Sequence, residues 1–280
     1  MMDLDLDHLR GWIGSKEIKS EAVTPALVER FNTTFGRTGD TAPGAPAPVM
    51  IHLCLAPPAA PIDQLGPDGH PARGGFLPPV PLPRRMWAGG SFSFHDDIRI
   101  GETVTRRSTI RDVAVKQGRT GPLCFVTVEH RIESDSRHVL TERQDIVYRD
   151  LDAASSPPKA PPPPAPEGTH RITVEPTAPL LFRYSALTFN GHRIHYDAPY
   201  TREVEGYPGL IVHGPLQASQ LVHLAEKTRG HVPKTFDFRS LSTIFDTADY
   251  SLNATADGEA LNLWTAQADG PVAMQARASW

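Results

Sequence analysis

The sequence has little of what marks disulfide-stabilised, membrane or nucleic-acid-binding proteins. Only two of its 280 residues are cysteines, Cys54 and Cys124, which favours a reducing cytoplasm over a disulfide framework or a cysteine zinc site. No apolar run reaches the roughly 18 residues of a membrane span. The formal net charge is −4 and no basic run is present, so nucleic-acid binding is not predicted. The acidic start, MMDLDLDHLRGW, is unlike a secretory signal.

Proline, by contrast, is abundant and clustered. Seven of the 28 prolines lie between residues 157 and 166. Because the run Pro161–Pro164 has no amide donors and fixed φ angles, it fits neither a helix interior nor a sheet. We therefore interpret residues 151–169 as an extended linker between a first half, residues 1–150, and a second half, residues 170–280.

A second proline-rich stretch lies inside the first half. Residues 43–83 contain twelve prolines and form a stretch too long for an ordinary connection. Since loops of this length within a compact domain are usually functional or mobile, we expect this stretch to be more than a connection.

Both halves combine helical patterns with an antiparallel meander. Thr24-Pro25 is typical of a helix start in the first half, and Gly214-Pro215 begins an apolar helical repeat that Gly230 ends in the second. These patterns predict an α+β fold, either two copies of one sheet-round-helix architecture or two unrelated domains. The main strands are predicted over residues 85–94, 103–115, 123–134, 139–149, 235–245, 249–256 and 261–268, with two more over 169–174 and 272–279.

The segment from Phe182 to Leu216 has the densest set of functional side chains. It contains His192, His195 and His213, and imidazole exchanges protons near neutral pH. The H-x-x-H spacing of the first two lacks a third ligand at a characteristic distance, which argues against zinc. We predict that at least one of these two is a catalytic acid–base and that the other could be structural.

Two neighbouring residues complete a candidate site. Asn190 precedes His195 by five residues, and Gly214 lies at the start of the predicted helix. Because Pro215 has no amide, Gly214 is the exposed donor there, where free N–H groups and the helix dipole suit a developing oxyanion.

The stretch Tyr184–His195, YSALTFNGHRIH, resembles the signature Y-x-x-L-S/T-G-D-x-N-P-L/I-H of R-specific enoyl-CoA hydratases and MaoC-like dehydratases. The matching positions are Tyr184, Leu187, Thr188, Ile194 and His195. The signature's glycine, aspartate, asparagine and proline are replaced by Phe189, Asn190, His192 and Arg193. With these departures, and with PRRMWAGG and KQGRTG, the chain resembles the mesaconyl-C4-CoA (3-methylfumaryl-CoA) hydratases. Itaconyl-CoA hydratases and mitochondrial-type 3-hydroxyacyl-thioester dehydratases are similar.

The resemblance implies a double hot-dog fold with a non-catalytic first half and a catalytic second half. It implies reversible hydration of a small branched dicarboxylic enoyl-CoA to a citramalyl-CoA-type product, without cofactor or metal. The partner is then an acyl-CoA thioester, and a homodimer is compatible with the fold. His195 would be the base, Asn190 would orient the water, and the Gly214 amide would stabilise the oxyanion. Tyr184, His192 and His213 would bind substrate.

A substrate with a second carboxylate needs a cation, and the planar fork of arginine can donate two parallel hydrogen bonds to it. The alternative for each arginine is a surface charge or an ion pair between the halves. For Asp197, a turn before Ala198-Pro199 is favoured over a role in orienting His195. The candidate arginines are Arg84, Arg85, Arg183, Arg193 and Arg239.

Three other functions remain open. The first is a dehydratase of 3-hydroxyacyl thioesters in fatty-acid synthesis, whose neutral substrate needs no buried arginine. The second is a hot-dog thioesterase, against which the Tyr184–His195 signature argues. The third is a non-enzymatic acyl-CoA-binding module, against which the presence of His195 argues.

Overall fold

The computed structural model describes residues 4–118, 121–150 and 162–280. The helices of these residues are α1 (Leu6–Arg10), α2 (Pro25–Thr34), α3 (Ala178–Leu187), α4 (Ala198–Glu203) and α5 (Gly214–Arg229). The strands are β1 (Lys16–Ala22), β2 (Arg84–Phe94), β3 (Thr103–Gly118), β4 (Gly121–Ser134), β5 (Arg137–Arg149), β6 (His170–Val174), β7 (Thr235–Ser240), β8 (Tyr250–Asp257), β9 (Ala260–Gln267) and β10 (Met274–Ser279).

The strands of the described residues form one ten-stranded antiparallel sheet in the order β1-β3-β4-β5-β2-β7-β10-β9-β8-β6. The first five strands come from the predicted first half and the last five from the second. Strands β2 and β7 join the two sets, pairing from Gly89 opposite Arg239 to Ser93 opposite Thr235. Backbone hydrogen bonds therefore make the two sets of strands one continuous layer.

Only one end of the predicted linker, residues 151–169, is described, because residues 151–161 lie outside the described ranges. The Ala165 N–H donates to the Gly270 carbonyl at 2.8 Å, and the Trp264 indole N–H donates to the Pro166 carbonyl at 3.0 Å. This end of the segment is therefore held against the second half. The boundary between the halves stays a prediction.

Helix α5 is the element that the second half of the sheet encloses. Pro215 at its start needs no amide partner, and Gly230 ends it at φ 83°, donating its N–H to the Glu226 carbonyl at 2.7 Å. The helix packs on β7 to β10. Its buried side chains include Leu216, Ala218, Leu221, Val222, Leu224 and Ala225. No helix of the described residues has both the length and the hydropathy of a membrane span.

The sequence patterns located most elements, and the helices at Thr24-Pro25 and Gly214-Pro215 are confirmed. Two short polar elements were missed: β1, whose side chains are mostly exposed, and α4. Strand β7 ends at Ser240 because the chain then turns before a single bridge between Ile211 and Phe245. In the first half, the described residues between α2 and β2 contain two short 3₁₀ turns and no long helix.

The junction of β2 and β7 is packed with aromatic rings. Phe92 is fully buried and stacks on Phe238 and Phe236, with ring centroids 5.6 and 6.2 Å apart. A Cβ at Gly90 would overlap the Arg143 carbonyl, so glycine is required where β2 and its neighbour approach so closely. The core of the molecule therefore continues across the junction.

Replacing Phe92 with alanine should lower the free energy of unfolding by about 3–5 kcal/mol, because it opens a cavity at this junction. Equilibrium urea unfolding followed by circular dichroism measures the change. The matched control, Phe182→Ala, removes a ring that is 65% exposed and should change stability by less than about 1 kcal/mol. A Phe92→Ala variant as stable as the control would contradict a core shared across the junction.

Candidate active site

A cavity of about 1350 Å³ is lined by residues from both halves of the chain. The first half contributes the proline-rich stretch and the start of β2, and the second contributes the end of α3, the following turn and the start of α5. The cavity exceeds what a small acyl group needs and leaves room for part of a larger carrier. Its polar lining includes Asp68, His70, Arg84, Arg85, Tyr184, Asn190, His192, His195 and Gly214.

His195 lies buried in a single 3₁₀ turn, Arg193–His195, at the wall of this cavity. Its Nδ1 is 2.7 Å from the Ile211 carbonyl oxygen. Because a carbonyl only accepts, Nδ1 carries the hydrogen and Nε2 has a free lone pair. Burial lowers the pKa of His195 to about 4, so the ring is neutral near pH 7 and Nε2 can accept a proton.

His213 stacks against the ring of His195 and does not itself line the cavity. It is fully buried, and its ring stacks on that of His195 with centroids 3.7 Å apart and planes 19° apart. Its Nε2 lies 2.8 Å from the Ser185 hydroxyl, and the Tyr184 ring meets it edge-on at 5.0 Å. Burial, with His195 and His192 nearby, lowers the pKa of His213 well below its usual value. The neutral His213 ring therefore holds the His195 ring in place without adding a positive charge beside it.

Asn190 and His192 form a tight turn at the cavity wall. The Asn190 side-chain oxygen accepts the His192 backbone N–H at 3.0 Å, which leaves the amide NH₂ as the end available to a ligand. The His192 ring stands perpendicular to that of His195 with centroids 5.4 Å apart. Burial, with His70 and His195 nearby, lowers the pKa of His192.

Gly214 is the first residue of α5 and lines the same cavity. The amides of the first helical turn have no partner within their own helix, and the Pro215 ring removes the next one. The Gly214 N–H therefore lies at the positive end of a sixteen-residue helix without a partner in that helix. Such a donor suits an oxygen that gains negative charge.

The first half contributes a pair that the sequence patterns missed, Asp68 and His70. The His70 Nδ1 lies 3.0 Å from the Asp68 carboxylate, and the His70 ring lies 4.0 Å from that of His192 between centroids. Burial acts to raise the pKa of Asp68, but the hydrogen bond and charge of His70 lower it overall. Burial lowers the pKa of His70, with Arg85 acting in the same direction. The turn residues G-P-D-G at 66–69 are the one feature that marks this position in the sequence.

The predicted arginines separate into different environments. Arg85 lines the cavity, its charge acts on His70 and His192, and among the described residues no carboxylate lies within ion-pair distance of it. Arg84 also lines the cavity but contacts Glu205, with 3.6 Å between Nε and the carboxylate.

Three predicted substrate-binding residues do not line the cavity. Arg183 projects into solvent from α3. Arg193 is held by the Asp197 carboxylate at 2.8–2.9 Å and stacks over Tyr200. His213 lies behind His195. Arginines on exposed helical faces and next to carboxylates give the same sequence pattern as arginines that face a ligand.

Asp197 has the turn role that the sequence favoured, because its side chain caps α4 by accepting the Tyr200 N–H at 3.1 Å. His195 is oriented by the Ile211 carbonyl instead.

One group in the described residues has the spacing of a metal site. The ligand atoms of Asp68, His70 and His192 all lie within 4.8 Å of one another. The Asp68 carboxylate, however, already accepts the His70 backbone N–H at 3.1 Å as well as its Nδ1. This double contact is typical of an Asp–His pair in which the carboxylate orients the ring.

Comparison with known proteins identifies the family. A family model described as hydroxyacyl-thioester dehydratase type 2 matches residues 50–246. The chain belongs to this family. It is 42% identical over 267 residues to the mesaconyl-C(4)-CoA hydratase of Chloroflexus aurantiacus, covering 95% of each chain.

Solved structures show the fold of this dehydratase-family chain. A MaoC-like dehydratase from Phytophthora capsici superposes with a TM-score of 0.69 at 13% identity, over 99% of this chain and 98% of that one. A Mycobacterium tuberculosis protein described as having a double hotdog fold superposes with a TM-score of 0.59 at 13% identity, over 95% of each chain. The predicted double hot-dog fold is confirmed.

The buried neutral histidines should make the protein sensitive to acid. His192, His195 and His213 have folded-state pKa values below 6.5, so the unfolded chain binds protons that the folded chain does not. Their contribution is complete above pH 6.5 and is lost as the pH falls toward 4. Around pH 5.5, each histidine should add about 1 kcal/mol per pH unit to the slope of unfolding free energy against pH.

Urea unfolding at several pH values between 7 and 4.5 measures this slope. His195→Gln should lower the slope by about 1 kcal/mol per pH unit, whereas replacement of the exposed His170 with glutamine should leave it unchanged. An identical slope in His195→Gln and the parent protein would show that His195 is already protonated in the folded state.

Proposed function

We propose that the protein hydrates the double bond of a small branched dicarboxylic enoyl-CoA of the mesaconyl-C4-CoA type, giving a citramalyl-CoA-type product. The observation that carries the proposal is that the unprotonated Nε2 of His195, the Gly214 amide and Arg85 face one cavity. The identity of 42% over 95% of the chain to a mesaconyl-C(4)-CoA hydratase supports the same substrate class.

His195 supplies the base. Its Nε2 accepts a proton from water while the water oxygen bonds to the β-carbon, and the same proton then passes to the α-carbon. The Ile211 carbonyl stabilises the resulting imidazolium because it accepts the Nδ1–H. A positioned acid–base of this kind contributes about 10²–10⁴ to the rate.

Gly214 supplies the oxyanion donor. As the α-carbon gains electrons, negative charge moves to the thioester oxygen, and the N–H at the start of α5 donates a hydrogen bond to it. Donors of this kind are worth on the order of 10²–10³ in kcat. The Asn190 amide can donate to the water oxygen, and as an amide it cannot take the water's proton.

Arg85 is the cation for the second carboxylate. It lies near the start of β2, opposite Tyr148 of β5. Its positive charge contributes to lowering the pKa of His192. Since no described carboxylate pairs with it, an incoming carboxylate meets an uncompensated charge in a partly buried position.

A cytoplasmic location and a dimer of whole chains belong to the same proposal. Both cysteines are buried and free, which suits a reducing compartment. Strands β1 and β6 are the outer strands of the sheet in the described residues, so the edges are where a second chain could pair.

The substrate is tested with mesaconyl-C4-CoA, itaconyl-CoA and crotonyl-CoA, followed by loss of enoyl absorbance. Mesaconyl-C4-CoA should be hydrated fastest. Arg85→Gln should lower kcat/KM for this substrate about 10- to 100-fold, because a charged hydrogen bond is lost, and should leave crotonyl-CoA unaffected. The matched control is Arg239→Gln, on the exposed side of β7. Rapid hydration of crotonyl-CoA alone would favour the neutral acyl thioesters of the family's dehydratases.

His195→Ala should lower kcat several hundred-fold, because the base is removed, while the fold is retained. Steady-state kinetics with the preferred substrate and a circular dichroism spectrum measure the two effects. A variant with near-full activity would refute the assignment of His195.

A further inference from the structure

A hairpin from the proline-rich stretch reaches the catalytic turn of the second half. We call residues 65–71 the docking hairpin. It is closed by a bridge between Leu65 and Pro71 and by the Gly66 N–H donating to the His70 carbonyl at 2.7 Å. Its tip carries Asp68 and His70 into the cavity.

Backbone contacts fix the docking hairpin against the turn that contains His192. The Arg193 N–H donates to the Asp68 carbonyl at 2.9 Å, and the Arg193 side chain donates to the Pro67 carbonyl at 3.1 Å. Gly69 has φ 86°, and a Cβ there would overlap the Gly191 carbonyl. The docking hairpin is therefore held against this turn by the main chain and side chain of Arg193 and by the close approach of Gly69 to Gly191, which defines the position of His70 relative to the site.

A water held for attack offers two hydrogens, and His195 accepts one of them. The Asn190 side-chain oxygen is shared, because one of its two lone pairs already accepts the His192 N–H. A ring nitrogen with an unused lone pair on the same cavity is therefore a candidate for the second acceptor.

His70 has the properties of that acceptor. The Asp68 carboxylate takes its Nδ1–H, which leaves the Nε2 lone pair free, and the ring lines the cavity beside His192. Its neighbours with charge or titratable groups are Asp68, Arg73, Arg85, His192 and His195.

We propose that His70, oriented by Asp68, is a catalytic residue that holds the attacking water together with His195. The proposal rests on the hydratase function proposed above. The water oxygen bonds to the β-carbon, the π pair moves toward the α-carbon and the thioester oxygen, and His195 takes one proton and delivers it to the α-carbon. The second hydrogen, held by His70, stays on the product hydroxyl. The first half thus takes part in the reaction.

The central test uses kcat for mesaconyl-C4-CoA. His70→Gln and His70→Ala should lower kcat on the order of a hundred-fold with a smaller change in KM, because the water loses its orientation. Added imidazole should restore part of the activity of His70→Ala, which a purely structural role would not allow. The matched control is His170→Gln on β6, which is exposed and does not line the cavity.

Asp68 is a positioning residue, and its variants separate charge from geometry. Asp68→Ala should lower kcat about ten-fold, whereas Asp68→Asn keeps an oxygen that accepts the Nδ1–H and should recover most of that loss.

In the His70→Gln background, Asn190→Asp supplies a carboxylate acceptor and should raise kcat, although it need not in the parent protein.

Several outcomes would overturn the proposal. Unchanged kcat in His70→Gln, or no rescue of His70→Ala by imidazole, would leave His70 a structural residue. Activity lost with EDTA and restored by Zn²⁺, with metal retained by the parent and not by His70→Gln, would make Asp68, His70 and His192 metal ligands instead. A parent protein that fails to hydrate any of the three enoyl-CoA substrates would refute the proposed function itself, before the variants are compared.

Discussion

The backbone pairing of β2 with β7 is the constraint on which the site depends. This pairing joins two sets of five strands and places the start of β2, with Arg85, on the same cavity as α5. Trp87 of β2 approaches Gly214 closely enough that an added Cβ would touch its ring at 3.6 Å. The pairing of β2 with β7 therefore sets the distance between Trp87 of the first half and Gly214 at the start of α5.

Burial determines the protonation state of the histidines in the site. The stacked rings of His195 and His213 and the neighbouring His192 are neutral because burial removes the solvation that the protonated rings would need. Neutral imidazoles are acceptors when one nitrogen donates elsewhere. The Ile211 carbonyl and the Asp68 carboxylate take those hydrogens and leave the other nitrogens of His195 and His70 available.

The sequence predicted the fold class and several second-half residues that line one cavity, but it did not indicate the Asp–His pair that the first half contributes to that cavity. Local rules identify α5, since proline and glycine mark its ends, and the spacing Tyr184–His195 identifies the turn. His70 was missed because its partners are about 120 residues away in the chain, at Gly191 to Arg193, and no local pattern encodes that approach. Arg193 was misassigned for a related reason. Its carboxylate partner, Asp197, follows four residues later and neutralises its charge in an ion pair.

A crystal structure with the bound hydration product tests the central claim, that both halves build one site. The new hydroxyl should donate its hydrogen to Nε2 of His70 and lie beside the His195 ring. The thioester oxygen should accept the Gly214 N–H, and the second carboxylate should pair with Arg85. A product that contacts only second-half residues, with its carboxylate away from Arg85, would contradict that claim.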